Sequence, residues 1–401
     1  MRLYTLLKVI LTITSPILIS SLANAFTPIY PENQFNSNDR YDHSTVRESD
    51  FLWQPNDEGA VYQPIQPQSA ISGDLKNSLF QMSMYLRTRN PNQFVARSGA
   101  NVPISTLSQT LNNLLNWNGP LDPHSLQSQF DLMPLAASSG KSTKFTGYYT
   151  PIIKASAQPN AEFNYPIYRS PMAGHLRQLP RSAISQGALS NKGLEVAWTN
   201  DPIGLFYMQI QGSGIIEYQN GQRLTLVFDG SNNKPFKSLA RHMQKMGYLR
   251  GNLGRDAIQR WLSANPQYLQ SAMNSNPRYV YFKPSHKDLT TASGMPIVPG
   301  VSIAVDTDYI PFGSVLLAEV PIKNSKGQTL GSEWKILLPQ DRGIAIKGPA
   351  RMDIYTGQGE TARVVANRLT GLGRAFLLQK RQNTQLSDNQ SNNAIYTPQY
   401  N

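Results

Sequence analysis

From Thr143 onward the chain is broken into short runs rich in aromatic and β-branched residues, most of them closed by Gly, Pro or Asn. Thr143 to Pro151, Leu194 to Thr199, Leu205 to Gln211 and Arg223 to Asp229 read as strands. After them, Tyr279 to Phe282, Gly300 to Asp306, Ser314 to Val320 and Trp334 to Pro339 read the same way. Many short strands with Gly and Pro turns predict a closed barrel rather than an open sheet. Asn220-Gly221 predicts a tight hairpin turn, because both residue types tolerate positive φ. Helical spacing is confined to fewer stretches. Leu75, Leu79, Met82 and Leu86 predict a helix over 74–88, and Leu107, Leu111, Leu114 and Leu115 a second from Thr106 to Trp117. Pro235 to Met246, Arg255 to Leu262 and Pro266 to Ser275 complete the helical set.

The beginning of the chain reads as a sorting signal. Arg2 and Lys8 precede an apolar run from Val9 to Ile19, which ends in Ala23-Asn24-Ala25. This order of basic, apolar and small-x-small predicts a secretory signal peptide over residues 1–25 and a mature chain from Phe26. The run is shorter than the ~20 residues of a membrane span. Residues 26–72, rich in Pro, Asn, Gln and Ser, predict an irregular linker, and residues 382–401 a disordered tail. The sequence contains no cysteine, which removes disulfides, thiol nucleophiles, Cys-based metal sites and a lipid on an N-terminal Cys. The net charge is +12, from 37 Lys and Arg against 25 Asp and Glu, and about +10 without Arg2 and Lys8. An exported basic chain without a dense Lys/Arg block does not suit nucleic acid. It suits anionic lipid or an anionic wall polymer such as peptidoglycan, whose peptides carry carboxylates, or its charge serves solubility alone, and the charge by itself does not choose among them.

Several chemistries are absent from the sequence. There is no Gly-x-x-x-x-Gly-Lys phosphate loop and no His-Glu-x-x-His pair, and nothing calls for a metal or another cofactor. Gly212-Ser213-Gly214 is not a Gly-x-Ser-x-Gly elbow and reads as a turn after a strand. Carboxylates in apolar company remain. Asp306 follows Val301-Ser302-Ile303-Ala304-Val305, Asp341 follows Ile336-Leu337-Leu338-Pro339-Gln340, and Asp353 sits in Met352-Asp353-Ile354-Tyr355. Apolar walls raise a carboxyl pKa and let it donate a proton near neutrality. Residue type alone favours the alternative for each, a turn cap accepting backbone N–H bonds. Tyr148, Tyr149, Trp198, Phe206, Tyr207, Gln209 and Gln211 form a second group suited to sugar faces and hydroxyls, although strand alternation turns half of such residues into core.

In order along the chain stand Phe145-Thr146-Gly147-Tyr148-Tyr149-Thr150-Pro151, Tyr165-Pro166-Ile167-Tyr168, Ala197-Trp198-Thr199-Asn200-Asp201-Pro202 and Gln209-Ile210-Gln211-Gly212-Ser213-Gly214. Asn276 to Phe282, Ala304-Val305-Asp306, Ile310-Pro311-Phe312-Gly313, Gln340-Asp341-Arg342-Gly343, Ala345-Ile346-Lys347-Gly348 and Asp353-Ile354-Tyr355 follow. Together these motifs resemble the membrane-bound lytic murein transglycosylase A family over roughly residues 140–380, including its C-terminal three-aspartate barrel module. The resemblance implies a mainly β fold with some helices. A double-psi β-barrel domain (73–151 and 284–381) would carry a second, inserted β-domain (152–283), with a glycan groove between them. It implies cleavage of the MurNAc–GlcNAc bond of peptidoglycan, with Asp353 as the single acid and base. Asp341, Asp306, Tyr148, Thr150, Gln211, Ser213 and Lys347 are then expected to contact substrate or shape the site. Glycan strands are the implied partner, cell-wall synthesis or division proteins are further candidates, and the implied location is the periplasm, at the outer membrane or wall. A muramidase with a second catalytic carboxylate and a non-catalytic wall-binding protein are the alternatives.

The sequence departs from the family pattern in three respects. The lipid-bearing cysteine is missing, so no lipid anchor is expected. The Asp-x-Gly-Gly run reads Asp341-Arg342-Gly343-Ile344, and the turn after the Gln-Gly-Ser-Gly segment reads Phe228 to Pro235 and includes Lys234.

Overall fold

The computed structural model describes residues 71–93, 102–135, 142–251, 254–324 and 327–382. The expected signal peptide, nearly all of the expected linker and all but Gln382 of the expected tail lie outside these residues. The described chain opens with helices α1 (Gly73–Arg87), α2 (Ile104–Leu115) and α3 (Pro123–Leu126), then strands β1 (Phe130–Pro134) and β2 (Thr143–Thr150). Ser72 caps α1, its hydroxyl accepting from the Leu75 N–H at 3.3 Å. The predicted stripe of Leu75, Leu79, Met82 and Leu86 is the face that α1 buries.

A second sheet is inserted after β2. It is built from β3 (Ile152–Ser156), β4 (Tyr165–Tyr168), β5 (Glu195–Thr199), β6 (Gly214–Tyr218), β7 (Arg223–Ser231) and β8 (Val280–Ser285), in the order β4-β5-β3-β6-β7-β8. Helices α4 (Gly174–Arg177), α5 (Arg181–Ser185), α6 (Pro202–Gln211), α7 (Leu239–Lys245), α8 (Arg255–Ala264) and α9 (Leu269–Asn274) interleave with these strands. The chain then returns to the first sheet with β9 (Ser302–Ala304), β10 (Val315–Lys323), β11 (Thr329–Asp341), β12 (Arg351–Gln358), helix α10 (Gly359–Arg368), β13 (Thr370–Gly373) and β14 (Ala375–Lys380).

The first sheet has eight strands in the order β1-β14-β10-β11-β9-β12-β2-β13. It is mixed: β9 runs parallel to β11, β2 parallel to β12, and the other pairs are antiparallel. The sheet curls until β13, at one end of the order, meets β10. There Gly371 and Gly373 of β13 lie so close to Pro321 and Glu319 of β10 that a Cβ on either would clash. One apolar cluster fills the curl, joining Leu79 and Leu107 of the helices to Phe145, Leu316, Leu337, Ile354 and Leu377 of the strands. This is the barrel that short, punctuated strands predict. A separate cluster, with Ile153, Ile216 and Phe282, lies against the second sheet. A third joins α6 to α7, α8 and α9 through Phe206, Met243, Leu262 and Met273.

Two expectations need correction. Leu205 to Gln211 is not a strand but most of helix α6. The start signal lies just upstream: the Asp201 carboxylate accepts from the Gly204 N–H at 2.7 Å, and Pro202 occupies the first turn. Gly212, at φ 86°, ends the helix by donating to the Met208 carbonyl. Gly212-Ser213-Gly214 therefore follows a helix rather than a strand. The expected helix from Pro235 begins later, at Leu239, because Ser238 takes the cap and accepts from the Arg241 N–H at 3.3 Å. The Asn220-Gly221 hairpin is present between β6 and β7, but only Gly221 has positive φ, at 81°.

Gly147 fixes how closely α10 approaches β2, since a Cβ there would meet the Ala366 Cα at 2.6 Å and its carbonyl oxygen at 2.9 Å. Both are backbone atoms that cannot rotate away. Gly147→Ala is expected to lower stability by about 1–3 kcal/mol, measured by urea unfolding. An unchanged midpoint would show that the helix is free to move.

Candidate active site

The site is built where chain from both sides of the insertion pairs. β2 and β12 run parallel with Asp353 opposite Thr146 and Tyr355 opposite Tyr148. On the other side of β12, Asp353 pairs with Ala304 of β9, and Ala304 pairs in turn with Asp341 at the end of β11. The two aspartates thus stand level on strands flanking β9, with Cα atoms roughly 10 Å apart, two strand spacings.

Alternation along β2 sorts its side chains. Thr146, Tyr148 and Thr150 face the aspartates, whereas Gly147 and Tyr149 face α10, with Tyr149 packed on Ala362 and Ala366. The Thr146 hydroxyl donates to Asp353. The Tyr148 hydroxyl donates to Asp341 at 2.9 Å. The Thr150 hydroxyl and the Tyr355 hydroxyl are hydrogen-bonded at 2.8 Å, and the Tyr148 and Tyr355 rings lie 5.2 Å apart. Leu289, Ile297 and Val227 pack around the two tyrosines, so the second sheet contributes one wall through Val227 of β7.

The two carboxyl groups differ in how well they are solvated by protein. Asp341 accepts three hydrogen bonds, from the Tyr148 hydroxyl, the Ala292 N–H at 3.0 Å and the Arg342 N–H at 2.9 Å. Asp353 accepts one, from Thr146. Burial pushes both pKa values above the usual carboxylate range. At Asp341 burial is opposed by those three bonds and by the Arg342 charge. At Asp353 it is opposed by the Thr146 bond and the Arg351 charge and reinforced by the nearby Asp341. Asp341 is therefore the better supported anion, and Asp353 the better candidate to hold a proton. Burial first, and then the Asp341 charge, raises the Tyr148 phenol well above its ordinary pKa, so Tyr148 stays a donor.

The structure thus brings together Asp353, Asp341, Tyr148 and Thr150. Asp306 is buried, but its carboxylate accepts from the Gly348 N–H at 2.9 Å and the Asp308 N–H at 3.3 Å, and Lys347 approaches it at 4.0 Å. Among the described residues no hydrogen bond or ion pair links Asp306, Lys347, Gln211 or Ser213 to the Asp341–Asp353 cluster. Gln211 ends α6, and Ser213 lies between that helix and β6. The sequence does not mark Thr146 and Tyr355 as site residues, although both fall inside the family-like segments Phe145 to Pro151 and Asp353 to Tyr355. Their signal is the strand pairing, which the sequence does not print. The Arg342 departure leaves the local support intact, since it is a backbone N–H that holds Asp341. The Lys234 turn is held by Asn232, whose amide donates to the carbonyls of Leu179 and Pro277 at 2.8 Å each.

Comparison with known proteins gives the same two-part layout. Residues 144–283 match the MltA specific insert domain, and residues 301–379 match the 3D domain. Membrane-bound lytic murein transglycosylase A of Vibrio cholerae is 32% identical over 266 residues, covering 64% of this chain and 71% of the relative. The Escherichia coli protein of the same name is 36% identical over 241 residues, covering 59% and 65%. The crystal structure of E. coli MltA with bound chitohexaose superposes with a TM-score of 0.68 at 29% identity, over 80% of this chain and 94% of that one. The Agrobacterium tumefaciens membrane-bound lytic murein transglycosylase shares the fold, with a TM-score of 0.64 at 23% identity over 77% and 93%. On sequence and architecture, the chain belongs to the membrane-bound lytic murein transglycosylase A family.

Proposed function

We propose that this chain is a peptidoglycan lytic transglycosylase in which Asp353 is the only acid and base. The observation that carries the assignment is the contrast between the two aspartates: one hydrogen bond at Asp353 against three at Asp341. A protonated Asp353 gives its proton to the oxygen joining MurNAc to GlcNAc, and the C1–O bond breaks. Positive charge grows at C1 of the muramic acid. The Asp353 carboxylate then takes the proton of that sugar's C6 hydroxyl as its oxygen bonds to C1, which closes a 1,6-anhydro ring and restores the acid. Because the nucleophile is tethered, its effective concentration is high and no second catalytic carboxylate is needed. Asp341, held as an anion beside the site, supports the positive charge in transit.

The glycan lies over the face of β2 that carries Thr146, Tyr148 and Thr150, against the wall that Val227 supplies. The chitohexaose bound by the E. coli relative supports a glycan ligand. Gln211, Ser213, Lys347 and Asp306 are assigned to the margins of that groove. The names of the relatives support a cell-envelope location, and we place the chain in the periplasm.

Mass spectrometry of products from purified sacculi tests the reaction. Transglycosylation gives fragments ending in 1,6-anhydroMurNAc, one water lighter than hydrolysed ones. Reducing ends would instead identify a muramidase, and binding without release a wall-binding protein. Asp353→Asn is expected to abolish release while folding with at least the parent's stability at neutral pH. A carboxyl whose pKa is raised by folding disfavours the folded state once ionised, and that penalty is absent below its unfolded pKa. Retained turnover in this variant would move the chemistry to another group.

The pH profile gives a second test. The Thr146 hydroxyl favours ionised Asp353, so Thr146→Val should raise the Asp353 pKa further. The acid then stays protonated to higher pH, and the alkaline limb of kcat should move upward. A limb that stays in place, or moves down, would mean that Asp353 is not the group titrating there.

A further inference from the structure

The charge of this chain is unevenly placed. Between Asn232 and Arg278 lie eight Lys and Arg residues and a single acid, Asp256, so this stretch carries +7 of the net +12. The acid is already engaged: it pairs with Arg363 of α10 and accepts from the Asn367 amide at 3.3 Å. Lys237, Arg241, Lys245, Arg250 and Arg260 are exposed, and none of them forms an ion pair among the described residues. On α7 the buried residues are Leu239 and Met243, so Arg241 and Lys245 project from the opposite face one turn apart. Like charges at that spacing destabilise a helix, and no neighbouring acid relieves them.

The stretch that carries these charges is joined through α8 to α10 and to the back of β2. Its helix α8 is tied to α10 through Asp256, and Arg255 stacks 4.2 Å from the Tyr207 ring and 5.4 Å from the Tyr149 ring. Tyr149 faces away from the aspartates, so Arg255 of this stretch meets β2 on the side opposite them. Tyr248, just beyond α7, stacks on Trp261 of α8 at 4.6 Å, and both rings pack against Tyr268.

We propose that the α7–α8 module is a second, non-catalytic contact surface that adsorbs the enzyme electrostatically to the carboxylates of peptidoglycan stem peptides. This rests on the peptidoglycan reading above and adds a ligand group, the peptide carboxylate, that the glycan groove does not need. A network carrying carboxylates at many positions matches a spread of unpaired cations better than it matches a single pocket. Binding of this kind concentrates the enzyme on its polymer without fixing one register, and salt screens it.

The test uses the full chain carrying Asp353→Asn, so that sacculi are bound and not consumed. Arg241→Gln, Lys245→Gln and Arg250→Gln together are expected to weaken co-sedimentation with sacculi roughly tenfold at low salt and to flatten its salt dependence. Sacculi whose carboxylates have been amidated should bind the unsubstituted surface as weakly as untreated sacculi bind the triple variant. In a chain with Asp353 intact, the same three substitutions should leave turnover of a soluble, peptide-free glycan unchanged. Equal sacculus affinity with and without the three cations would overturn the proposal, as would undiminished binding to amidated sacculi. So would loss of binding to anionic phospholipid vesicles with sacculus binding intact, which would assign the surface to a membrane. Failure of the transglycosylase reading would show separately, as an absence of anhydro products from the parent chain.

Discussion

The parallel pairing of β2 with β12 is the contact on which the site depends. It brings Thr146 to Asp353 across 207 positions of sequence, with the whole second sheet and its helices in between. No local turn can set such a register. It is fixed by the apolar residues that alternate with the site residues, Phe145 on β2 and Met352 and Ile354 on β12, all buried in the barrel core. A slip of one residue would exchange the two faces of β2, sending Tyr149 to the aspartates and Tyr148 to α10. The glycine at 147 guards the same register, because α10 rests on it with no room for a side chain. The geometry of the proposed site and the packing of the barrel are thus consequences of one pairing.

Given that register, the proposed chemistry rests on unequal solvation. Asp341 and Asp353 sit on either side of β9 in equally buried surroundings, yet the chain supplies three donors to one and one donor to the other. Two backbone N–H groups serve Asp341 because β11 ends there and the Ala292 loop crosses it. Asp353 lies mid-strand, where backbone donors are consumed by the ladder, and only a side-chain hydroxyl reaches it. Position within the strand therefore decides which carboxyl is held as an anion and which can carry a proton.

Much of this was legible in the sequence. The leucine stripe of α1, the short strands and the three apolar-flanked aspartates rest on periodicity and composition, which act locally. What stayed hidden depends on partners distant in sequence or on competing local signals. The segment Leu205 to Gln211 is aromatic and apolar enough for a strand, but Asp201-Pro202 and Gly212 cap it as a helix, and capping outweighed composition. Thr146 reads as an ordinary strand threonine until Asp353 is placed beside it. Asp306, by contrast, makes the backbone N–H bonds of the turn cap that its residue type favours, tying the end of β9 to Gly348.

The two faces of β2 divide the molecule's charge as well as its contacts. On one face, tyrosines and threonines surround two acids. On the other, Tyr149 meets Arg255, and behind it the α7–α8 module carries its excess of cations. The separation has an electrostatic reason. Unpaired cations next to Asp353 would stabilise its ionised form and lower its pKa, working against the burial that raises it. Arg351 already exerts that effect on Asp353, and further unpaired cations on the same face would add to it. Strand alternation within β2 keeps at least Arg255 and Tyr149 on the face away from the proposed acid.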